Sequence, residues 1–206
     1  MNMRVGWLLV SLLGLTQWIQ ENWPHTHADS PVSPHAVGVV SHSSGTTPLY
    51  DKVLRFNVYR FLITAPDSGQ VRELTIKAYR GELLLTSFRV RVDGAIVGAE
   101  VADLDKNRFP ELYVYSISDG SGSFGRVYAW QFLPERKADI APVNWQLAAV
   151  KGYMGHDSLW VGPGILCRKY PLYQPGDANA QPSGGYRIER YRLQPTGVSF
   201  RLVAEN

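Results

Sequence analysis

The sequence has a single cysteine, Cys167, among its 206 residues. One cysteine excludes a disulfide within the chain, so a domain built from this sequence depends on its hydrophobic core for stability. Its 21 Lys and Arg residues are scattered, and the formal net charge is only +3. No basic run is dense enough to indicate a nucleic-acid or lipid-headgroup surface. We therefore expect neither a disulfide scaffold nor a nucleic-acid-binding protein.

Patterns typical of catalysis are equally scarce. His156 is the only histidine beyond residue 42, and it lies next to Asp157. A zinc site or a histidine-based triad needs further partners, and the sequence has no Gly-x-Ser-x-Gly motif. Residues 120–125 match the glycine spacing of a dinucleotide-binding loop, but strand-forming residues follow them where that mechanism requires a helix. The sequence therefore predicts a protein that is not an enzyme.

The N-terminus is typical of an export signal. Arg4 is followed by an apolar run over residues 5–15, which is too short to span a bilayer comfortably. Thr26-His27-Ala28 offers small residues at a cleavage site. We predict a signal peptide over residues 1–28, a flexible leader over residues 29–48 and a periplasmic mature protein with no membrane contact. The alternative is an uncleaved membrane anchor.

Hydrophobic residues (45%), aromatic residues (12%), 19 glycines and 13 prolines favour β structure with turns over a helical bundle. Apolar and polar residues alternate along many short segments, which is the pattern of half-buried strands. We predict one all-β domain over residues 49–206, an antiparallel sandwich or barrel, with residues 143–150 left open between helix and strand. The predicted strands lie at 54–58, 73–78, 84–92, 95–102, 112–117, 127–132, 165–173, 186–193 and 198–203.

Between two aromatic strand segments lies Ser118-Asp-Gly-Ser-Gly-Ser-Phe-Gly125, which is the most informative feature of the chain. Small and polar residues flanked by β-formers predict a projecting hairpin loop on a stiff ribbon. Such a loop is suited to entering the cleft of another molecule. Phe124 either offers apolar contact area to that molecule or folds back onto the ribbon.

Asp103, Asp105, Asn107 and Glu111 occupy relative positions 1, 3, 5 and 9, a spacing that calcium loops use. Two departures weaken the match: Arg108 stands where a glycine is usual, and Val114 stands where a bidentate carboxylate is usual. The sequence therefore favours a polar turn with no metal or other cofactor, and calcium is the one candidate ion.

Three segments carry a resemblance to a known family. They are residues 101–117 with the Ser/Gly loop that follows, residues 151–157 (Lys-Gly-Tyr-Met-Gly-His-Asp) and residues 167–185. Together they resemble the periplasmic inhibitors of i-type (invertebrate-type) lysozyme, over roughly residues 50–206. The family has a Ser-Gly-x-Tyr loop that matches Ser121-Gly122-Ser123-Phe124, where Phe124 lacks the tyrosine hydroxyl. It also has a Gly-Asp-Gly turn at the position of residues 106–108, which are Lys-Asn-Arg here.

The resemblance implies a sandwich-like protein of a Gram-negative periplasm that blocks a host lysozyme. Ser121, Gly122, Ser123 and Phe124 would enter the active-site cleft of the i-type lysozyme, and Tyr153, Met154 and His156 would form a second contact loop. The protein would be a monomer or a homodimer. Two alternatives stay open: a non-catalytic carbohydrate- or peptidoglycan-binding module, suggested by the many aromatic residues, and a calcium-dependent adhesion or structural domain built on residues 103–111.

Overall fold

The structure is a computed structural model that describes residues 50–65, 71–145 and 150–205. These residues contain twelve β-strands. In those residues there is no helix that is long and apolar enough to cross a membrane. The predicted signal peptide and leader lie outside the described residues. The strands are β1 (Tyr50–Phe56), β2 (Tyr59–Ala65), β3 (Val71–Arg80), β4 (Leu83–Asp93), β5 (Ala95–Ala102), β6 (Glu111–Ile117), β7 (Gly125–Phe132), β8 (Lys137–Ala141), β9 (Ser158–Gly162), β10 (Ile165–Pro171), β11 (Tyr186–Thr196) and β12 (Ser199–Ala204).

The strands form two sheets. The first sheet is an antiparallel meander in the order β1-β2-β3-β4, and the second has eight strands in the order β5-β6-β7-β8-β12-β11-β10-β9. All neighbouring pairs in the second sheet are antiparallel except β12 and β8, which run parallel. The all-β, sandwich- or barrel-like fold predicted from the alternation is therefore confirmed.

The structure differs from the predicted strands at a few positions. Asn57 has a left-handed φ of 50°, so the chain turns at Asn57-Val58 and starts β2, where the alternation predicted one strand through Val58. Asparagine tolerates this conformation and is frequent in two-residue hairpin turns. In the last hairpin Thr196 pairs with Ser199, which places the turn at Gly197 and Val198. Of residues 143–150, the described ones belong to neither a strand nor a helix.

The first sheet packs on one face of β5, β6 and β7. Several of its inward side chains, including Phe61, Ile63 and Leu74, are fully buried. They meet Leu112, Trp130 and Phe132 from the second sheet, and the rings of Phe61 and Phe132 lie 4.8 Å apart. This layer is the sandwich core.

The other face of β6 and β7 lines a second core inside the curved eight-stranded sheet, with Tyr113, Leu166 and Leu193 among its buried residues. The two end strands of that sheet lie close together: Glu100 on β5 accepts a hydrogen bond from the Val161 N–H on β9 at 2.8 Å. The sheet is thus nearly closed into a barrel. Since β6 has a core on each side, six of its seven residues are buried, and the hairpin it forms with β7 is a firm support for its loop.

Candidate functional site

The loop between β6 and β7 is closed at its base by reciprocal bonds between two residues. The Ser118 N–H donates to the Phe124 carbonyl, and the Phe124 N–H donates to the Ser118 hydroxyl, each at 2.9 Å. Asp119, Gly120 and Ser121 are exposed at the tip, whereas residues 122–124 are partly buried. The predicted hairpin loop is therefore present, and residues 119–121 form its exposed tip.

A second segment, residues 152–157, lies directly behind this loop. The His156 N–H donates a 2.6 Å hydrogen bond to the Gly122 carbonyl oxygen. Gly155 is so close that a Cβ built on it would lie 1.9 Å from the same oxygen. Both Gly155 (φ 94°) and His156 (φ 59°) adopt left-handed backbone angles at this contact. The structure thus brings together the two loops that the sequence analysis named separately.

The ring of Phe124 faces the inside of this assembly. It packs edge-on against Tyr153, with ring centroids 5.7 Å apart, and it fills the space where a side chain at Gly122 would lie. The ring is partly buried. Its position corresponds to the folded-back alternative, and any contact between Phe124 and a partner stays a prediction. Met154, by contrast, is 46% exposed beside the loop.

Asn179 is a third contributor that the sequence analysis did not identify. Its side-chain N–H donates to the Ser121 carbonyl at 2.6 Å, and its Oδ1 lies 3.1 Å from Nε2 of His156. The Tyr173 hydroxyl in turn donates to the Asn179 carbonyl at 2.8 Å. Asn179 belongs to a segment without apolar alternation, so no pattern in the sequence indicated its role. The backbone carbonyls of Ser121 and Gly122 are both held from behind.

Beneath the two loops lies a buried ion pair. Arg168 on β10 is 2% exposed, and its Nε donates to Oδ1 of Asp157 at 2.7 Å. The same carboxylate accepts from the Tyr153 hydroxyl at 2.6 Å and from the Gly125 N–H at 2.8 Å. One carboxylate therefore joins the second loop, the start of β7 and β10. The guanidinium also lies over the rings of Trp145, Tyr153 and Tyr170, at 4.7, 4.6 and 4.3 Å from their centroids.

Glu189 on β11 completes the surroundings of Arg168. It accepts hydrogen bonds from Arg168 Nη1 at 3.0 Å and from the Tyr170 and Tyr191 hydroxyls at 2.7 Å each. Burial opposes ionisation of Glu189, but the two hydroxyl donors and the charge of Arg168 outweigh it and lower the pKa of its carboxyl. Burial together with the Glu189 contact raises the pKa of Tyr170 to about 12. The group is thus an ionised carboxylate surrounded by neutral phenols.

The side chains of His156 and Asp157 have different hydrogen-bond partners, although the two residues are adjacent in the sequence. The His156 ring contacts Asn179, whereas the Asp157 carboxylate contacts Arg168 and Tyr153. Asp157 therefore holds the second loop in place. It does not orient the His156 ring, as the acid of a catalytic triad would.

A groove of about 310 Å³ lies beside the loop. Four aromatic side chains contribute to its lining: Phe124, Tyr128, Trp145 and Tyr153. The groove also contains Arg126 at its wall. A groove lined in part by aromatic rings suits a sugar ring or an apolar side chain of a partner.

The predicted calcium-loop residues lie at the other end of the β6–β7 hairpin. Glu111 starts β6, and its Oε2 accepts from the Leu104 N–H at 2.8 Å. Asp105 accepts from the Asn107 N–H and amide, at 3.2 and 2.9 Å. Burial, followed by the nearby charges of Asp105 and Asp103, raises the pKa of Glu111 to about 9. Asn107 directs its side-chain oxygen to the Phe109 N–H at 2.8 Å.

In comparisons of this chain with known proteins, no protein-family model, no curated protein and no solved structure matches it.

Proposed function

We propose that the protein is an inhibitor of i-type lysozyme that inserts the tip of the β6–β7 loop into the active-site cleft of the enzyme. The observation that carries the proposal is the state of this loop. Its tip, Asp119 to Ser121, is exposed, while the carbonyls of Ser121 and Gly122 are held by Asn179 and His156. A loop that is ordered before binding loses little conformational entropy when it enters a cleft.

The chemistry of the tip fits the target. Lysozymes act through cleft carboxyl groups, one of which serves as an acid. The Ser121 hydroxyl makes no hydrogen bond with the described residues and lies on the exposed side of the loop. In the complex it would donate to a cleft carboxylate, a charge-assisted bond that is stronger than one between neutral groups. Gly122 and Ser123 have small side chains, so the backbone of the loop can approach the walls of the cleft closely. Asp119 adds a local negative charge that attracts a cationic enzyme.

In this proposal Phe124 and the second loop act from behind the tip. Phe124 packs on Tyr153, and Tyr153 is bonded to Asp157. Phe124 stands where the family that the chain resembles has a tyrosine, so the ring at this position carries no hydroxyl. Met154 and His156 flank the tip and would contact the rim of the enzyme's cleft.

As an inhibitor of this kind, the protein would perform no reaction and would need no cofactor. It would be exported by the signal peptide of residues 1–28 and act in the periplasm, as a monomer or a homodimer. The test is the lysis of peptidoglycan by i-type, c-type and g-type lysozymes with increasing amounts of the purified protein. We expect i-type activity to fall in a competitive manner, whereas unchanged i-type activity at micromolar protein would contradict the proposal.

The aromatic groove beside the loop favours a second candidate, a glycan-binding module that acts without any enzyme. Phe124, Trp145 and Tyr153 all contribute to its lining. Sedimentation with insoluble peptidoglycan in the absence of lysozyme separates the two candidates. Retention on peptidoglycan together with no effect on lysozyme would favour the glycan-binding function, and inhibition without retention would favour the inhibitor.

A further inference from the structure

Three carboxylates converge where the chain passes from β5 to β6. Asp103 and Asp105 lie in the connecting loop, and Glu111 is the first residue of β6. One oxygen from each lies within 4.8 Å of the others. Glu111 is fully buried, and the two aspartates are partly buried. Three acidic groups at this separation repel one another strongly unless a cation or protons compensate them.

No basic side chain supplies this compensation. None of the ion pairs among the described residues involves Asp103, Asp105 or Glu111. The two basic residues of the loop, Lys106 and Arg108, are both exposed. The donors that reach the carboxylates are neutral, such as the N–H of Arg108, which contacts Asp103 Oδ2 at 2.9 Å. No cationic side chain therefore compensates the cluster, which leaves protons or a bound cation to do so.

Fully buried oxygens without a hydrogen-bond partner lie at the same place. Gln131 faces Glu111 across β6 and β7, and its Nε2 donates hydrogen bonds to Asp105 at 3.1 Å and to Glu111 at 3.3 Å. Gln131 is 0% exposed, yet its Oε1 has no partner among the described residues. The same is true of the Tyr113 hydroxyl, two residues from Glu111 on the same face of β6, and of Asp103 Oδ1. Buried polar atoms are almost always satisfied, so the Tyr113 hydroxyl and Asp103 Oδ1 indicate a missing ligand beside the carboxylates.

We propose that this cluster is a calcium site in which Asp103, Asp105 and Glu111 supply oxygen ligands. Calcium is a hard cation that takes six to eight oxygens in flexible geometry, and water would complete the set. The alternation of the loop suits this arrangement, because residues 103, 105 and 107 are partly buried while residues 106 and 108 are exposed. Magnesium is a poorer match, since it requires a smaller and nearly ideal octahedron.

The site is separate from the proposed inhibitory loop. Glu111 begins β6, whereas the 118–124 loop follows the end of β6. Bound calcium would tie the β5–β6 connection to the base of the hairpin, at the end opposite to Ser121. It would stabilise the folded protein without taking part in contacts to a lysozyme.

The test is calorimetric titration of the EGTA-treated protein with CaCl₂, followed by thermal unfolding with and without the ion. Asp103→Asn is the main variant, because its amide oxygen can still accept from the Arg108 N–H. Glu111→Gln is the second variant, and Asp139→Asn, at an exposed position of β8, is the matched control. A ligand that binds only the folded state raises the melting temperature as its concentration rises.

We expect one calcium ion per chain, a rise in melting temperature with calcium, and binding about tenfold weaker or lost in Asp103→Asn and Glu111→Gln, with no change in Asp139→Asn. Absence of binding and of any melting shift at millimolar calcium would overturn the proposal. So would equal calcium binding by the wild type and a folded Asp103→Asn variant. A shift of the same size with the same concentration of MgCl₂ would overturn the assignment to calcium.

Discussion

The backbone N–H of His156 donates a hydrogen bond to the Gly122 carbonyl, with an N–O distance of 2.6 Å. This contact joins two loops that are distant in the sequence and fixes the inner side of the exposed tip. Asn179 repeats the arrangement one residue earlier, at the Ser121 carbonyl. The shape of the tip is therefore set by the segments behind it as well as by its own residues.

Replacement of Gly155 by alanine tests this loop–loop contact. A Cβ there would lie 1.9 Å from the Gly122 carbonyl oxygen, so the two loops have to separate. We expect a loss of about 2–4 kcal/mol in unfolding free energy, from left-handed strain and the clash together, measured by urea unfolding. Gly176→Ala is the matched control, because Gly176 has nearly the same φ, 95°, but no atom within 4 Å of its added Cβ. Equal losses in the two variants would contradict the contact.

Replacement of Arg168 by methionine tests the buried ion pair. It leaves the fully buried carboxylate of Asp157 without its cation, whereas Glu189 keeps Arg187 at 3.3 Å. Removal of one partner of a buried pair costs about 3–5 kcal/mol, and we expect a loss in this range in chemical unfolding. Arg192→Met is the control: it removes an arginine that is 70% exposed and paired with Glu205, a surface pair worth about 0–1 kcal/mol. Similar small losses in both variants would show that Arg168 does not hold the site together.

Because the pKa of the Glu189 carboxyl is lowered, we expect its contribution to stability to decrease at acidic pH. The pKa of its carboxyl is lower in the folded protein than its ordinary value of 4.5. Its contribution is therefore fully present above that ordinary value and is lost as the pH falls towards the lower folded pKa. We expect the stability difference between the wild type and Glu189→Gln to shrink between pH 6 and about pH 3 (values spanning the ordinary carboxyl range). Urea midpoints across that interval check this, and a difference that does not change with pH would contradict it.

The thiol of Cys167 is expected to be inert in the folded protein. Cys167 is 6% exposed, and burial raises the pKa of its thiol. Both effects lower the amount of accessible thiolate. Labelling with a thiol reagent should be slow in buffer and fast in urea. Rapid labelling of the folded protein would show that the β9–β10 region opens readily, and would allow a disulfide between two chains.

Much of the fold follows from the sequence because its strands are half-buried. Leu74, Ile76 and Ala78 alternate with polar residues, and the structure buries all three. The strands Tyr59–Ala65, Lys137–Ala141 and Ser158–Gly162 were not predicted. The last two are only five residues long, which leaves little alternation to detect, and they form hairpins with their sequence neighbours β7 and β10. The chain reversal at Asn57 was also missed, because Val58 continues the apolar spacing while the backbone turns.

The candidate site was predicted in part. The composition of residues 118–125 indicated a hairpin loop, and the loop lies where the flanking strands place it. The support behind the loop depends on long-range contacts that no local pattern contains. Arg168, in the middle of a strand, has the appearance of a solvent-exposed residue in the sequence, yet it is buried among three aromatic rings and two carboxylates. Asn179 likewise acquires its role only from the path of the chain after β10.

The inhibition of i-type lysozyme by the wild type and by Ser121→Ala tests the central claim most directly. The proposal predicts an inhibition constant that rises roughly ten- to a hundredfold in Ser121→Ala, since a hydrogen bond to a charged group is worth about 1.5–3 kcal/mol. Ser87→Ala, at an exposed position on β4 in the other sheet, should inhibit like the wild type. Equal inhibition by all three proteins would contradict the proposal that the β6–β7 loop is the inhibitory element.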